Sequence, residues 1–240
     1  MLSIVIPTLN EASNLPNLLA SLTKELRSRY NLEIIVSDNG STDDTVAFAR
    51  KAGVRVVGRR SEEKKNISEC RNRGARAAQG EVLMFLDADC LPRNWEYFFD
   101  RSFEALHDQR IIALTFRFAI NPKEQRWIDV VWMFYFNLLF LFLNVLGLGM
   151  GRGNCQVVRR AAFQKINGYN TELVAGEDFD FYRRLRRIGR IRFLWSVVVY
   201  ELPRRFRKLG YVRVALQWFV NSMSIMILGR SWSREWRDVR

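Results

Sequence analysis

Thiol chemistry has little to work with in this chain. Its 240 residues include three cysteines, Cys70, Cys90 and Cys155, widely spaced and without a CxxC pair. That argues against a zinc site and predicts reduced thiols in a cytosolic compartment. Histidine is scarcer still: His107 stands alone, in a stretch that reads as an exposed helix end. No GxGxxG run and no P-loop occurs, so neither a dinucleotide fingerprint nor P-loop NTPase chemistry is expected. No charged leader precedes an apolar segment, because Ser3–Pro7 reads directly as a strand. Repeats and low-complexity linkers are absent as well. Negative charge is the minority sign, with 25 Asp+Glu against 38 Lys+Arg and a net charge of +13. Such an excess calls for an anionic partner: nucleic acid, a phosphorylated substrate or an anionic membrane surface.

What is present begins with a core, since 48% of the residues are hydrophobic. Strand and helix patterns alternate through the first half. Leu2–Ile6 reads as a strand, and Leu15, Leu18, Leu19 and Leu22 fall at helical spacing. Glu33–Asp38 is a second strand, followed by Ser41, placed to cap a helix with acids in its first turn. Val54–Val57 is a short strand, Asn66–Ala78 a helix ended by Gly80, and Val82–Asp87 a fourth strand. Ile111–Phe118 reads as a further strand and Phe179–Ile188 as a helix. This order predicts an α/β fold with a mainly parallel sheet flanked by helices, in which ligands bind at the carboxyl ends of the strands.

Asp87 and Asp89 close the apolar run Val82–Leu86. Two carboxylates one residue apart at the end of a buried strand repel each other and need a partner. A hard divalent cation such as Mg2+ or Mn2+, shared with a substrate diphosphate, meets both needs. A plain turn is the other reading. Asn10–Glu11 and Asp38–Asn39 also fall at strand ends, and three such clusters on one sheet edge favour a site.

Two apolar stretches mark the second half. Trp127–Met150 is uncharged from Val130 through Gly151, with Arg126 and Arg152 on its flanks. Val214–Gly229 is uncharged between Arg213 and Arg230, with Trp232 and Trp236 beyond. A pair of buried helices or a dimer surface is one reading. A monotopic seat at a membrane interface is the other, favoured by the basic balance and by Trp127, Trp132 and Tyr135.

Five stretches in consistent order resemble family 2 glycosyltransferases of the Rossmann-like GT-A fold. They are Ser3–Glu11, Val36–Asp43, Arg71–Asp89, Gly153–Tyr169 and Gly176–Asp180. The resemblance implies inverting transfer from a nucleotide-sugar donor with Mg2+ or Mn2+. It places Pro7, Leu9, Glu11, Asp38 and Asn39 at the base, Arg71 near the donor, Asp87 and Asp89 on the metal, and Asp178 as general base beside Glu177. Acids at a helix start are also ordinary stabilisers of that end. Three departures stand out. The family's Asp-Asp pair is Asp38-Asn39 here. No histidine follows the Glu-Asp helix, where Arg204 and Arg205 are expected to grip the donor diphosphate or to form a solvated face. The Gln-x-x-Arg-Trp run of processive synthases is missing, which implies one sugar per binding event.

The expected organisation is a GT-A domain over residues 1–200, carrying the apolar insertion 127–150, and a basic, apolar helical extension over 201–240. The acceptor would offer a hydroxyl or phosphate, lipid-linked or soluble, at the cytoplasmic face of a membrane or in the cytoplasm. A homodimer is compatible with the apolar segments. A nucleic-acid partner is not expected, because acidic strand ends repel phosphate and no groove-reading module is present. A catalytically silent membrane scaffold and a nucleotidyltransferase are the alternatives.

Overall fold

The computed structural model describes residues 1–233. Trp236 and the end of the 201–240 extension lie outside the described residues. Leu2–Thr8 (β1) is buried along its whole length, as a strand covered on both faces must be. Leu15–Ser21 (α1) and Lys24–Arg29 (α2) lead to Leu32–Asp38 (β2). Thr45–Lys51 (α3), Arg55–Gly58 (β3), Ile67–Ala77 (α4) and Val82–Leu86 (β4) follow. β1 pairs in parallel with β2 and β4, and β2 with β3. Helix α4 lies directly on β1: a Cβ at Gly74 would stand 2.3 Å from Val5 Cγ1. Its start is capped by Asn66, whose side chain accepts from the Glu69 backbone N–H at 2.8 Å. It ends at Ala77, before Gly80 is reached.

Ser41 does not cap a helix. The residue before α3 is Asp44, without a side-chain cap bond. The Ser41 hydroxyl is spent on the loop, donating to Asp38 at 2.5 Å and accepting from the Asn10 backbone at 2.8 Å. Short polar side chains commonly favour such local bonds over a helix end.

The second half supplies Cys90–Pro92 (β5), Trp95–Leu106 (α5), Ile111–Ile120 (β6), Trp127–Val145 (α6), Cys155–Arg159 (β7), Arg160–Lys165 (α7), Glu177–Arg186 (α8), Arg190–Glu201 (β8), Arg204–Leu209 (α9) and Tyr211–Leu228 (α10). Among the described residues, eight strands form one sheet in the order β3-β2-β1-β4-β7-β6-β8-β5. β7 runs antiparallel to β4 and β6, and β5 antiparallel to β8, while β6 and β8 are parallel. The parallel half is where the sequence placed it; the whole sheet is mixed, because β7 inserts against the direction of its neighbours. Apolar clusters cover both faces of the sheet, and a third joins α6, α9 and α10.

The apolar stretch from Trp127 is one helix of 19 residues, not a pair. Its middle is strapped to the sheet: Asn137 donates to the Phe118 carbonyl at 2.8 Å and accepts from the Phe118 N–H at 2.9 Å. Its first turn holds Asp129, which is wholly buried and accepts from Arg207 and the Tyr211 hydroxyl. A charge carried this deep is tolerated only when paired and hydrogen-bonded. Helices α6 and α10 are long and apolar enough to cross a membrane, yet only 28% and 22% of their apolar windows are buried.

Candidate active site

A cavity of about 670 Å³ opens at the carboxyl ends of β1, β2 and β4. Pro7, Leu9, Glu11, Asn39, Arg71, Asp87, Asp89, Glu177, Asp178, Arg204 and Arg205 all line it. Asp38 does not. Its carboxylate is drawn back into its own loop, accepting from the N–H groups of Gly40 and Ser41 at 2.9 and 3.0 Å. Its neighbour Asn39 does face the cavity, with Oδ1 buried and without a hydrogen-bond partner among the described residues.

Arg71 organises the floor. Projecting from α4 and almost completely buried, it donates to Asp87 at 3.2 Å, to Glu177 at 3.0 Å and to the Gly153 carbonyl at 3.0 Å. Its guanidinium also lies over the Tyr169 ring at 5.4 Å. One fixed cation thus ties the end of β4 to the start of α8, whose Glu177 lies 106 residues beyond Arg71. Asp178 sits beside it in the first turn of α8, accepting from the N–H groups of Gly153 and Phe179 at 3.0 and 2.8 Å. Gly176 makes that start possible. Its φ is +77°, and a Cβ there would meet Ile225 of α10 at 2.6 Å.

Burial sets the acid strengths. It pushes the Asp178 carboxyl up to about 6, with the neighbouring Glu177 charge adding to the rise, against the two N–H bonds and Arg71. Asp87 is pushed up to about 7 by burial and by Asp89, although Arg71 opposes this. Its side chain keeps 27% exposure towards the cavity, so water entering there moderates the rise. At the opposite wall Arg204 spans Asp89 at 2.5 Å and Glu11 at 3.6 Å.

Sequence reasoning passed over Arg152, Asn154, Glu201 and the Lys64–Lys65 pair, all of which line the cavity. Glu201 is buried, accepts from Arg152 at 2.6 Å and Asn154 at 2.5 Å, and leaves Oε1 without a hydrogen-bond partner among the described residues. Burial pushes its carboxyl up to about 7, against the pull of Arg152. A signal for it existed: Val197–Val199 runs into Glu201 as Val82–Leu86 runs into Asp87, a carboxylate closing an apolar strand.

The residues present fit a divalent cation shared with a diphosphate. Asp87 and Asp89 face one cavity, and each is balanced by a single guanidinium, from Arg71 and Arg204. Among the described residues no group of three or more His, Cys, Asp or Glu could hold a metal alone. Two carboxylates with the remaining oxygens from phosphate and water is the ligand supply Mg2+ ordinarily uses.

The sheet order and the cavity at its strand ends define a GT-A-type α/β protein. A solved mannosyltransferase from Pyrobaculum calidifontis, in complex with GDP-Man and Mn2+, superposes with a TM-score of 0.73 at 20% identity, over 95% of this chain and 64% of its own. Glucosyl-3-phosphoglycerate synthase from Mycobacterium tuberculosis, solved with Mn2+, UDP and glucosyl-3-phosphoglycerate, superposes with a TM-score of 0.59 at 20% identity, over 95% of this chain and 79% of its own. At the level of sequence, the profile of glycosyl transferase family 2 matches residues 3–167, and the chain belongs to that family. An uncharacterized glycosyltransferase of Haemophilus influenzae is 28% identical over 77% of this chain and 62% of its own length. A PGL/p-HBAD biosynthesis glycosyltransferase of Mycobacterium bovis is 38% identical over 37% of this chain and 35% of its own. The chain thus spans less than two thirds of the length of these two relatives.

Proposed function

We propose that the protein transfers one sugar, with inversion, from a nucleotide-sugar donor to an acceptor hydroxyl or phosphate. The observation that carries this reading is the single cavity in which Arg71 joins the carboxylates at the end of β4 to those at the start of α8. Pro7, Leu9 and Asn39 border the base end, where the unpaired Asn39 Oδ1 is suited to accept an N–H of the base. Glu11 orders that wall, taking an N–H from Asn14 at 2.7 Å. Arg204 and Arg205 line the same cavity, and their guanidiniums are suited to a diphosphate. Asp38 shapes the loop that carries Asn39.

Asp178 is the base in this reading. Its carboxylate takes the acceptor O–H proton while the acceptor oxygen bonds the anomeric carbon. The bond from that carbon to the diphosphate oxygen breaks on the opposite side, and the leaving nucleotide keeps the electron pair. A bound Mg2+ or Mn2+ would be held by Asp87 and Asp89 and would neutralise negative charge on the leaving diphosphate. Glu177 keeps Arg71 in place rather than moving a proton. Phe140, Phe206 and Trp218 give the cavity an apolar wall, which favours a lipid-linked acceptor and a place on the cytoplasmic face of a membrane.

Calorimetric titration with UDP, GDP, CDP and dTDP, each with and without Mn2+, tests the reading. Binding of one nucleotide that strengthens with Mn2+ is the expected result. Binding of none, under conditions where the protein is folded, would overturn it.

A further inference from the structure

Among the described residues nothing covers the outer faces of α6 and α10. On α6, Val131, Phe134, Leu138 and Phe142 are exposed at helical spacing; on α10, Leu216 and Ile227 continue the surface. Soluble monomers rarely leave so long an apolar stripe open. The two helices act as one layer, because Trp132 stacks on Tyr211 at 5.4 Å and Phe136 meets Trp218 at 5.4 Å. The acid within α6, Asp129, is turned inward and wholly buried, and α10 carries none. Basic residues stand at the margins instead: Arg126 at the head of α6, and Arg213 and Arg230 towards the two ends of α10, all exposed.

We propose that α6 and α10 form a plate seated on an anionic lipid bilayer, so that an amphipathic acceptor enters the cavity from the lipid side. Charge complementarity selects this occupant. An apolar stripe rimmed by arginine, in a chain of net charge +13, matches an anionic interface. It does not match a second copy of the same basic rim. The plate lies on the bilayer and does not cross it. Mid-helix, α6 is bonded to β6 through Asn137, and its first turn is clasped by α9 and α10 through Asp129. Neither the first turn nor the middle of α6 is free to leave the fold. The inner sides of the same helices wall the cavity through Phe140, Trp218 and Ser222. Lipid at the plate is therefore separated from the cavity by this one helix layer. The acceptor half of this inference rests on the transferase reading; the bilayer half does not.

The test is co-sedimentation of the full chain with phosphatidylcholine vesicles, with and without phosphatidylglycerol. Strong binding to the anionic vesicles and weak binding to neutral ones is expected. Phe142→Glu with Ile227→Glu, at positions 58% and 71% exposed, should lower that binding about tenfold or more. Thermal melting and nucleotide binding should not change. The plate is refuted if the wild type stays in the supernatant with both vesicle types, or if the double variant sediments equally well. It is also refuted if the wild type is a dimer that the variant splits while neither sediments, since the occupant is then a second copy. For the acceptor half, lipid extracts presented in those vesicles should raise nucleotide release from the bound nucleotide sugar, and the same extracts should act less on the double variant. Equal release from both variants would remove that half. Vesicle binding without nucleotide binding would retire the transferase reading and leave the plate.

Discussion

In the proposed reaction, Asp178 is the residue on which the chemistry turns. An Asp178→Asn variant should bind the donor nucleotide like the wild type and lose transfer by roughly 10²–10⁴-fold. Parallel loss of both in calorimetry and turnover assays would reduce Asp178 to a helix-end stabiliser. With its carboxyl at about 6, the base form is lost as pH falls through that value. Turnover should therefore drop about tenfold per pH unit below roughly pH 6, and the acid limb of the kcat profile should be missing from any residual Asp178→Asn activity. Asp89→Ala should abolish the Mn2+ dependence of nucleotide binding, and a variant that keeps it would show Asp89 to be no ligand. Asp87 and Asp89 stand out in the sequence because strand-end carboxylates are locally conspicuous, whereas Asp178, at a helix start, is singled out only by the family resemblance. Asp38 misled, since its loop supplies enough N–H groups to draw its carboxylate away from the cavity. Arg152 and Glu201 pair across 49 residues, and no local pattern announces such a pairing.

Among the elements, α4 and α6 carry the sharpest expectations. Gly74→Ala would push a methyl into Val5 beneath α4. It should cost about 1–3 kcal/mol in denaturant unfolding; an unchanged midpoint would mean that the helix rides up freely. Asp129 in α6 is a different case. Burial would raise its carboxyl, but bonds from Arg207, Tyr211 and the Arg126 N–H outweigh that and hold it at about 2, below the ordinary 3.8. The folded form thus prefers the ionised acid. Its contribution, about 2 kcal/mol, is complete above roughly pH 4 and disappears as pH falls through 2. Asp129→Ala should cost about 3–5 kcal/mol at neutral pH, because Arg207 loses its partner. The strands of the first half were readable from their apolar runs. β5 spans three residues and is too short to carry a period, and β8 was passed over despite its Val197–Val199 run.

For the molecule as a whole, composition and motif order were enough to anticipate the α/β class and the cavity at the strand ends. They did not reveal the mixed sheet, because the direction of β7 depends on the path from α6 and not on any property of Cys155–Arg159. The resemblance already expects Arg204 and Arg205 at the donor, but nothing in the sequence announces that Phe206, Trp218 and Ser222 wall the same cavity. Charge, too, was visible only as a sum. Some arginines are interior ties, such as Arg71 and Arg152, some are surface charges away from the apolar layer, such as Arg29 and Arg110, and a few stand on that layer's exposed rim.

The clasp of Asp129 by Arg207 and Tyr211 also bears on how such proteins diversify. Exchange of acceptor preference between relatives is simplest when the recognition segment is a module that can be spliced at a strand end. Here the natural splice point, after Glu201, would separate Asp129 from both side-chain partners and Arg152 from the rings of Phe206 and Trp218. A chimera joined at that point would inherit a buried charge without its counterion. Recombination that moves α9 and α10 alone is therefore penalised, and a graft that works must carry α6 with them.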